Sequence, residues 1–206
     1  DDALDPQERR TVELFRRCAP SVVHITSVAL AQRPSHGGFS MDLTEIPQGT
    51  GSGFVWDERG HIVTNFHVIK GAQKAKVTLS DNTTHDATLV GMEPDKDLAV
   101  LSIGRGVANG DSPLRPIDVG RSSTLQVGQR VLAIGNPFGL DRTLTTGVVS
   151  GLGRDIKSIT GRTIRDVVQT VRCGRARPRP FFETLLLPSS SSLPPPPPLP
   201  PPLLAP

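Results

Sequence analysis

Nine short runs rich in β-branched residues follow one another between glycines, prolines and Asx, Ser or Thr clusters. They are Val22–Val28, Gly51–Trp56, Gly60–Phe66, Lys76–Leu79, Ala87–Met92, Leu98–Ile103, Arg130–Ile134, Leu144–Leu152 and Ile164–Thr170. Turn signals such as Asp57-Glu-Arg-Gly60, Ser80-Asp-Asn-Thr83 and Asn136-Pro-Phe-Gly139 separate them. Many short strands at this spacing predict an all-β barrel or sandwich. Strand–helix alternation, the mark of a parallel α/β sheet, is missing. One helix is expected, over Pro6–Ala19. There Val12, Phe15 and Ala19 recur at i, i+3 and i+7 beside Arg9, Arg10, Arg16 and Arg17, and Pro20 stops it.

Composition divides the 206 residues. Twelve of the 20 prolines lie between Pro178 and Pro206, whereas all 20 glycines lie at or before Gly174. Proline fixes φ and removes a donor, so the terminal Ser/Pro stretch suits polyproline II or disorder rather than a sheet. The same break removes the case for nucleic acid. The net charge of +3 resides after Thr170, in four arginines and Glu183, while residues 1–170 hold 19 basic and 19 acidic side chains. A neutral body has no electrostatic footprint for a polyanion. No run approaches the ~18 apolar residues of a membrane span. Two cysteines, Cys18 and Cys173, make neither a disulfide framework nor a metal cluster. The start at Asp1, without a signal peptide or initiator methionine, reads as processed or cut. The expected organisation is an N-terminal helical segment over 1–20, a first β-barrel over 21–105, a partial second barrel over 106–170 and an Arg/Pro/Ser-rich disordered tail over 171–206.

Four rows carry more than periodicity: Gly49-Thr-Gly-Ser-Gly-Phe54 with Trp56; His61-Ile-Val-Thr-Asn-Phe-His67-Val; Asp95-Lys-Asp97-Leu-Ala-Val-Leu101; and Ala133-Ile-Gly-Asn-Pro-Phe-Gly139. In this order, from about Pro20 to Thr170, they resemble the HtrA/Deg family of trypsin-like serine endopeptidases. Gln48–Val55 with His61–Val68 is most similar to the chloroplast Deg branch. The resemblance implies two antiparallel six-stranded barrels with the active site in the cleft between them.

Serine proteolysis needs a nucleophile, a base that accepts its proton near neutral pH, and a carboxylate that orients the base. The resemblance places the general base at His67 and the orienting carboxylate at Asp97. Asp95 is the rival, since alternation would set both acids on one strand face; Asp95 and Lys96 are read instead as an exposed turn. His24, His36, His61 and His85 lack the His67 context and are read as surface or strand residues. The family's nucleophile stands in a Gly-Asn-Ser-Gly-Gly-Pro turn whose backbone also forms the oxyanion hole. Here the match stops at Thr170, and Val171-Arg-Cys-Gly-Arg-Ala-Arg-Pro178 replaces the family's continuation. The serine is expected roughly nine residues beyond Thr170, close to Arg179. Ser52 belongs to the strand before His67, and Ser189 to Ser192 sit among prolines. The abrupt change of composition reads as a frame change or retained intron rather than an evolved tail.

The chain is therefore read as a serine endopeptidase by resemblance, catalytically incomplete on its own. The alternative is a non-catalytic regulatory or oligomer-binding partner of full-length family members. A Pro-rich interaction module is a third and weaker reading. No cofactor or metal is expected. The resemblance implies unfolded or damaged proteins as substrates, homo- or hetero-oligomers through the N-terminal segment, and a chloroplast location, the thylakoid lumen included.

Overall fold

The computed structural model describes residues 4–34, 41–104, 114–136, 138–139, 142–157, 161 and 163–172. The chain opens with helix α1, Pro6–Cys18. Asp5 caps it: its carboxylate accepts the amides of Gln7 and Glu8, and the Glu8 carboxylate accepts the Asp5 amide. This reciprocal arrangement satisfies donors that a helix start leaves unpaired. Pro6 suits the first turn, and Arg16 and Arg17 oppose the negative end of the dipole. The helix passes into a 3-10 turn at Ala19–Ser21, where Pro20 lies.

Among the described residues nine strands follow, one for each run read from the sequence. β1 (Val22–Pro34) and β2 (Met41–Val55) form a long hairpin. β3 (His61–Asn65), the single-turn helix α2 (Phe66–Ile69), β4 (Lys74–Thr78), β5 (Thr84–Glu93) and β6 (Leu98–Ser102) come next. These six strands close into an antiparallel barrel in the order β1-β2-β3-β6-β5-β4. Alternate residues face inward. Val23, Ile25, Ile62, Val77 and Leu101 are among the side chains that fill the interior. Gly53 has to be glycine: a Cβ there would stand 2.7 Å from Ile25 Cδ1 and 2.8 Å from the Val63 carbonyl oxygen.

The remaining strands, β7 (Arg130–Gly135), β8 (Thr143–Lys157) and β9 (Thr163–Arg172), make a three-stranded sheet in that order. Its packing is looser. Val131, Leu132, Ala133 and Ile134 are all half-buried, while Val149 and Val167 are buried. The architecture is thus all-β with a short N-terminal helix.

Two boundaries differ from the sequence reading. β1 and β2 run well past Val28 and start well before Gly51, because Pro34, Pro47 and polar residues dilute the pattern while the hairpin ladder persists. β9 continues through Val171 and Arg172, two residues into the segment assigned to the tail, since both pair with β8. Residues 173–206, with Cys173, Arg179 and Ser189 to Ser192, lie outside the described residues; Cys18 is a free thiol.

Candidate active site

Antiparallel pairing of β3 with β6 sets Asn65 opposite Leu98. The end of β3 and the start of β6 therefore meet, and the next residues in each direction, in α2 and in the turn before β6, become neighbours. His67 lies in α2. Asp97 ends the 3-10 turn Pro94–Lys96 in the left-handed conformation, φ 55°. Aspartate tolerates this backbone better than most residues.

The Asp97 carboxylate takes hold of His67 at two points. Oδ1 accepts the His67 backbone amide at 2.9 Å, and Oδ2 accepts ring Nδ1–H at 2.7 Å. The Asp97 carbonyl in turn accepts the Phe66 amide at 3.0 Å and Asn65 Nδ2–H at 3.1 Å. These bonds fix the ring's position and tautomer. With the proton on Nδ1, the neutral imidazole carries its basic lone pair on Nε2. The His67 side chain is 30% exposed and that of Asp97 18%, so the ring reaches solvent while the carboxylate is more sheltered. Asp95 stands in the turn, half-buried, and does not share a strand face with Asp97. Asp95 and Lys96 thus stand in a turn, as read from the sequence, though half-buried rather than exposed, because β6 begins only at Leu98.

The Gly-Ser-Gly row supports this corner by packing. A Cβ at Gly51 would lie 2.6 Å from Val68 Cγ2, next to His67. Ser52 is committed elsewhere: its Oγ accepts the Asn136 amide at 2.8 Å and its carbonyl accepts Thr64 Oγ1–H at 2.9 Å.

Two other histidines have partners that sequence reading missed. His24, read as a surface or strand residue, is a strand residue of β1 and is buried, 8% exposed. Its Nδ1–H donates to the Asn136 carbonyl at 2.8 Å, and Nε2 accepts from Thr26 Oγ1 at 3.1 Å. Gly139 packs on its ring, where a Cβ would stand 3.0 Å from Cδ2. No local pattern announces this link, because its partner comes from the strand β7 end of the chain. His61 repeats the two-point grip on a smaller scale. Asp57 Oδ1 accepts its amide at 3.2 Å and Oδ2 its Nδ1–H at 2.7 Å, with Arg59 also on Oδ2. Here a signal existed in the turn Asp57-Glu-Arg-Gly60 directly before His61. Burial pushes the Asp57 carboxyl upward, but the hydrogen bonds from His61 and Arg59 together hold it below the ordinary carboxylate range. His36 lies outside the described residues. His85, on β5, bonds Thr83 Oγ1 at 2.8 Å.

A cavity of about 400 Å³ lies beside His24, lined also by Thr26, Glu45, Lys76 and Phe138, and does not include His67 or Asp97. Among the described residues no group of three or more His, Cys, Asp or Glu could hold a metal, and no helix is long and apolar enough to cross a membrane.

Residues 51–177 match the trypsin-like peptidase domain family. Protease Do-like 1, chloroplastic, of Arabidopsis thaliana is 57% identical over 171 residues, covering 81% of this chain and 36% of the relative. Protease Do-like 5, chloroplastic, of the same plant is 45% identical over 175 residues, covering 78% of this chain and 52% of the relative. The chain thus spans about a third to a half of the length of these curated relatives. Among solved structures, the crystal structure of Deg5 superposes with a TM-score of 0.65 at 41% identity, over 84% of this chain and 78% of that one. An HtrA-type protease, AlgW with a decapeptide, superposes with a TM-score of 0.60 at 31% identity, over 78% of this chain and 50% of that one. The four sequence rows, the barrel they build and these matches agree: the chain belongs to the trypsin-like peptidase domain family, in its HtrA/Deg group.

Proposed function

We propose that this chain carries the base-and-carboxylate half of a serine endopeptidase site, with His67 as general base and Asp97 as the carboxylate that orients it. The observation that carries the reading is the two-point hydrogen bond from His67 to Asp97. In serine proteolysis such a pair takes the nucleophile's proton on Nε2, and the carboxylate stabilises the imidazolium that forms. The proton later passes to the leaving amine. The nucleophile and the oxyanion turn are the other half. The 206 residues contain no Gly-Asn-Ser-Gly-Gly turn and no Gly-x-Ser-x-Gly elbow. Residual catalysis after loss of a triad member depends on an oxyanion hole and substrate cleft. The chain is therefore inactive alone. Its substrates, where the site is complete, are unfolded or damaged proteins, as in protein quality control, and the names of the plant relatives favour a chloroplast setting. The barrel over 21–105, a partial second barrel from 106 and a tail remain the division we favour, with the last boundary moved to follow Arg172, where β9 ends.

A second reading, a non-catalytic partner of full-length family members acting through the N-terminal segment, draws on α1, which buries no residue against its own chain.

Unfolded casein tests the assignment. The 206-residue chain gives no turnover above a blank; turnover abolished by His67→Ala would overturn the claim of inactivity. A second protein, in which the family's Asp-Ala-Ala-Ile-Asn continuation through Gly-Asn-Ser-Gly-Gly and the rest of the barrel follows Thr170, tests the roles. Its turnover is expected to need both His67 and Asp97. Turnover that survives His67→Ala removes the general-base role.

A further inference from the structure

Asn65 stands directly before α2, with φ −78° and ψ 143°, at the position where a helix takes its cap. An asparagine there ordinarily turns its side-chain oxygen onto the amide of the second or third helical residue. Asn65 makes no such bond. The amide within its reach, that of His67, goes instead to Asp97 Oδ1, and the Phe66 amide goes to the Asp97 carbonyl. Asp97, 32 residues further along the chain, thus caps α2 from another element.

The side chain of Asn65 is turned to a different task. Its Nδ2–H donates to the Asp97 carbonyl at 3.1 Å. A carbonyl oxygen only accepts, so the group that meets it is the amide nitrogen and not the amide oxygen. This bond has two effects. It keeps Asn65 Oδ1 off the His67 amide, for which it would compete with Asp97. It also ties down the backbone of a residue in the left-handed region, φ 55° and ψ 41°, where a non-glycine residue is held at a cost. The carboxylate projects from that same residue, so its aim at ring Nδ1 depends on the backbone staying there.

We propose that Asn65 is a positioning residue for the base. It leaves the capping of α2 to Asp97 and locks the Asp97 backbone, which keeps the carboxylate on Nδ1 and the ring's lone pair on Nε2. The inference rests on the assignment of His67 as general base and Asp97 as its orienting carboxylate, and names what aims that carboxylate. The last pair of the β3–β6 ladder, Asn65 opposite Leu98, brings the two residues within reach of each other. The task needs a short side chain with an N–H at its end. Aspartate has the same shape and caps a helix about as well. It offers no donor, however, and would set an oxygen against the Asp97 carbonyl.

Nitrogen NMR of the His67 ring in the full 206-residue chain tests this, at about pH 9, where an ordinary histidine is neutral. The parent ring is expected to carry its proton on Nδ1. Asn65→Ala removes the donor; Asn65→Asp keeps the shape and a capping oxygen but not the donor. In both variants the share of rings protonated on Nε2 is expected to rise about 5-fold, the factor that one hydrogen bond of ordinary strength carries. The Nδ1 proton should also exchange faster with water. Amide protection at Ile25, Ile62 and Leu101 reports that the barrel is folded; should Asn65→Ala lose it, the isosteric Asn65→Asp carries the test. A role confined to stability predicts otherwise, since an equally good cap would leave the ring as it is in the parent. An unchanged ring in either folded variant overturns the proposal and leaves His67 and Asp97 in their roles. A parent ring without its proton on Nδ1 removes the base-and-carboxylate reading, and the proposal with it.

Discussion

The His24 ring and the Asn136 carbonyl, 112 residues apart, share a buried hydrogen bond of 2.8 Å that fastens the three-stranded sheet to the closed barrel. Asn136 is held from both sides, since its amide donates to Ser52 Oγ at 2.8 Å. Arg142 adds a weaker tie, Nε–H to the Val22 carbonyl at 3.3 Å. The register of β1 and β2 makes this seam, because it sets His24 opposite Ser52.

Removing the ring by His24→Ala leaves a buried carbonyl without its donor. Such a loss costs about 1–3 kcal/mol. Amide exchange is the measurement: amides around Asn136 and along β7 are expected to exchange faster, while those of Ile25, Ile62 and Leu101 keep most of their protection. Unchanged exchange at Asn136 would show that the bond holds nothing in place.

A methyl group at Gly51 should be felt at His67. The new Cβ would stand 2.6 Å from Val68 Cγ2, and valine is stiff about χ1. Overpacking of this kind costs about 1–3 kcal/mol, visible as a lower urea midpoint. Val68 directly follows His67, so the Nδ1 proton of His67 should also shift in the NMR spectrum. A folded Gly51→Ala protein with that resonance unmoved would separate the glycine from the site.

Acid should loosen the turn from Asp57 to His61. The folded carboxyl of Asp57 titrates below its unfolded counterpart, because the hydrogen bonds from His61 and Arg59 outweigh the upward push of burial. Stability from this group is complete above the unfolded value and is lost as pH falls through the folded one. Glu45 has the same sign, chiefly through its hydrogen bond from Lys76. The measure is therefore the difference between the parent protein and Asp57→Asn. Urea midpoints taken between about pH 5 and pH 2 should fall less steeply in the variant. Parallel curves would mean that the turn contributes no acid dependence.

What the sequence revealed and concealed follows from the range of the interactions. Strands are local: alternation in Ala75–Val77 or Leu98–Leu101 is enough to mark them, and each run found its strand. Boundaries blurred where the ladder outlasted the pattern, at Pro34, Pro47 and Val171. The glycines of the Gly-Ser-Gly row were visible as a motif, but their reason was not. Gly51 and Gly53 are fixed by Val68 and Ile25, which lie on other elements. The burial and partner of His24 were hidden for the same cause. Its environment depends on a carbonyl from the far end of β7, and nothing within several residues of His24 encodes that. His67 and Asp97 were legible through their flanking rows, whereas their two-point grip is a product of the β3–β6 register.

That register has an evolutionary corollary. The bonds that join Asp97 to His67 and Asn65 run between elements of the closed barrel. The pair is encoded within one contiguous stretch of the chain. The residues that set this alignment all precede the three-stranded sheet, so a gene can change the downstream part without altering any of them. Half of a charge-handling apparatus is thereby inherited as a single part, ready to work with any neighbour that presents a hydroxyl to Nε2.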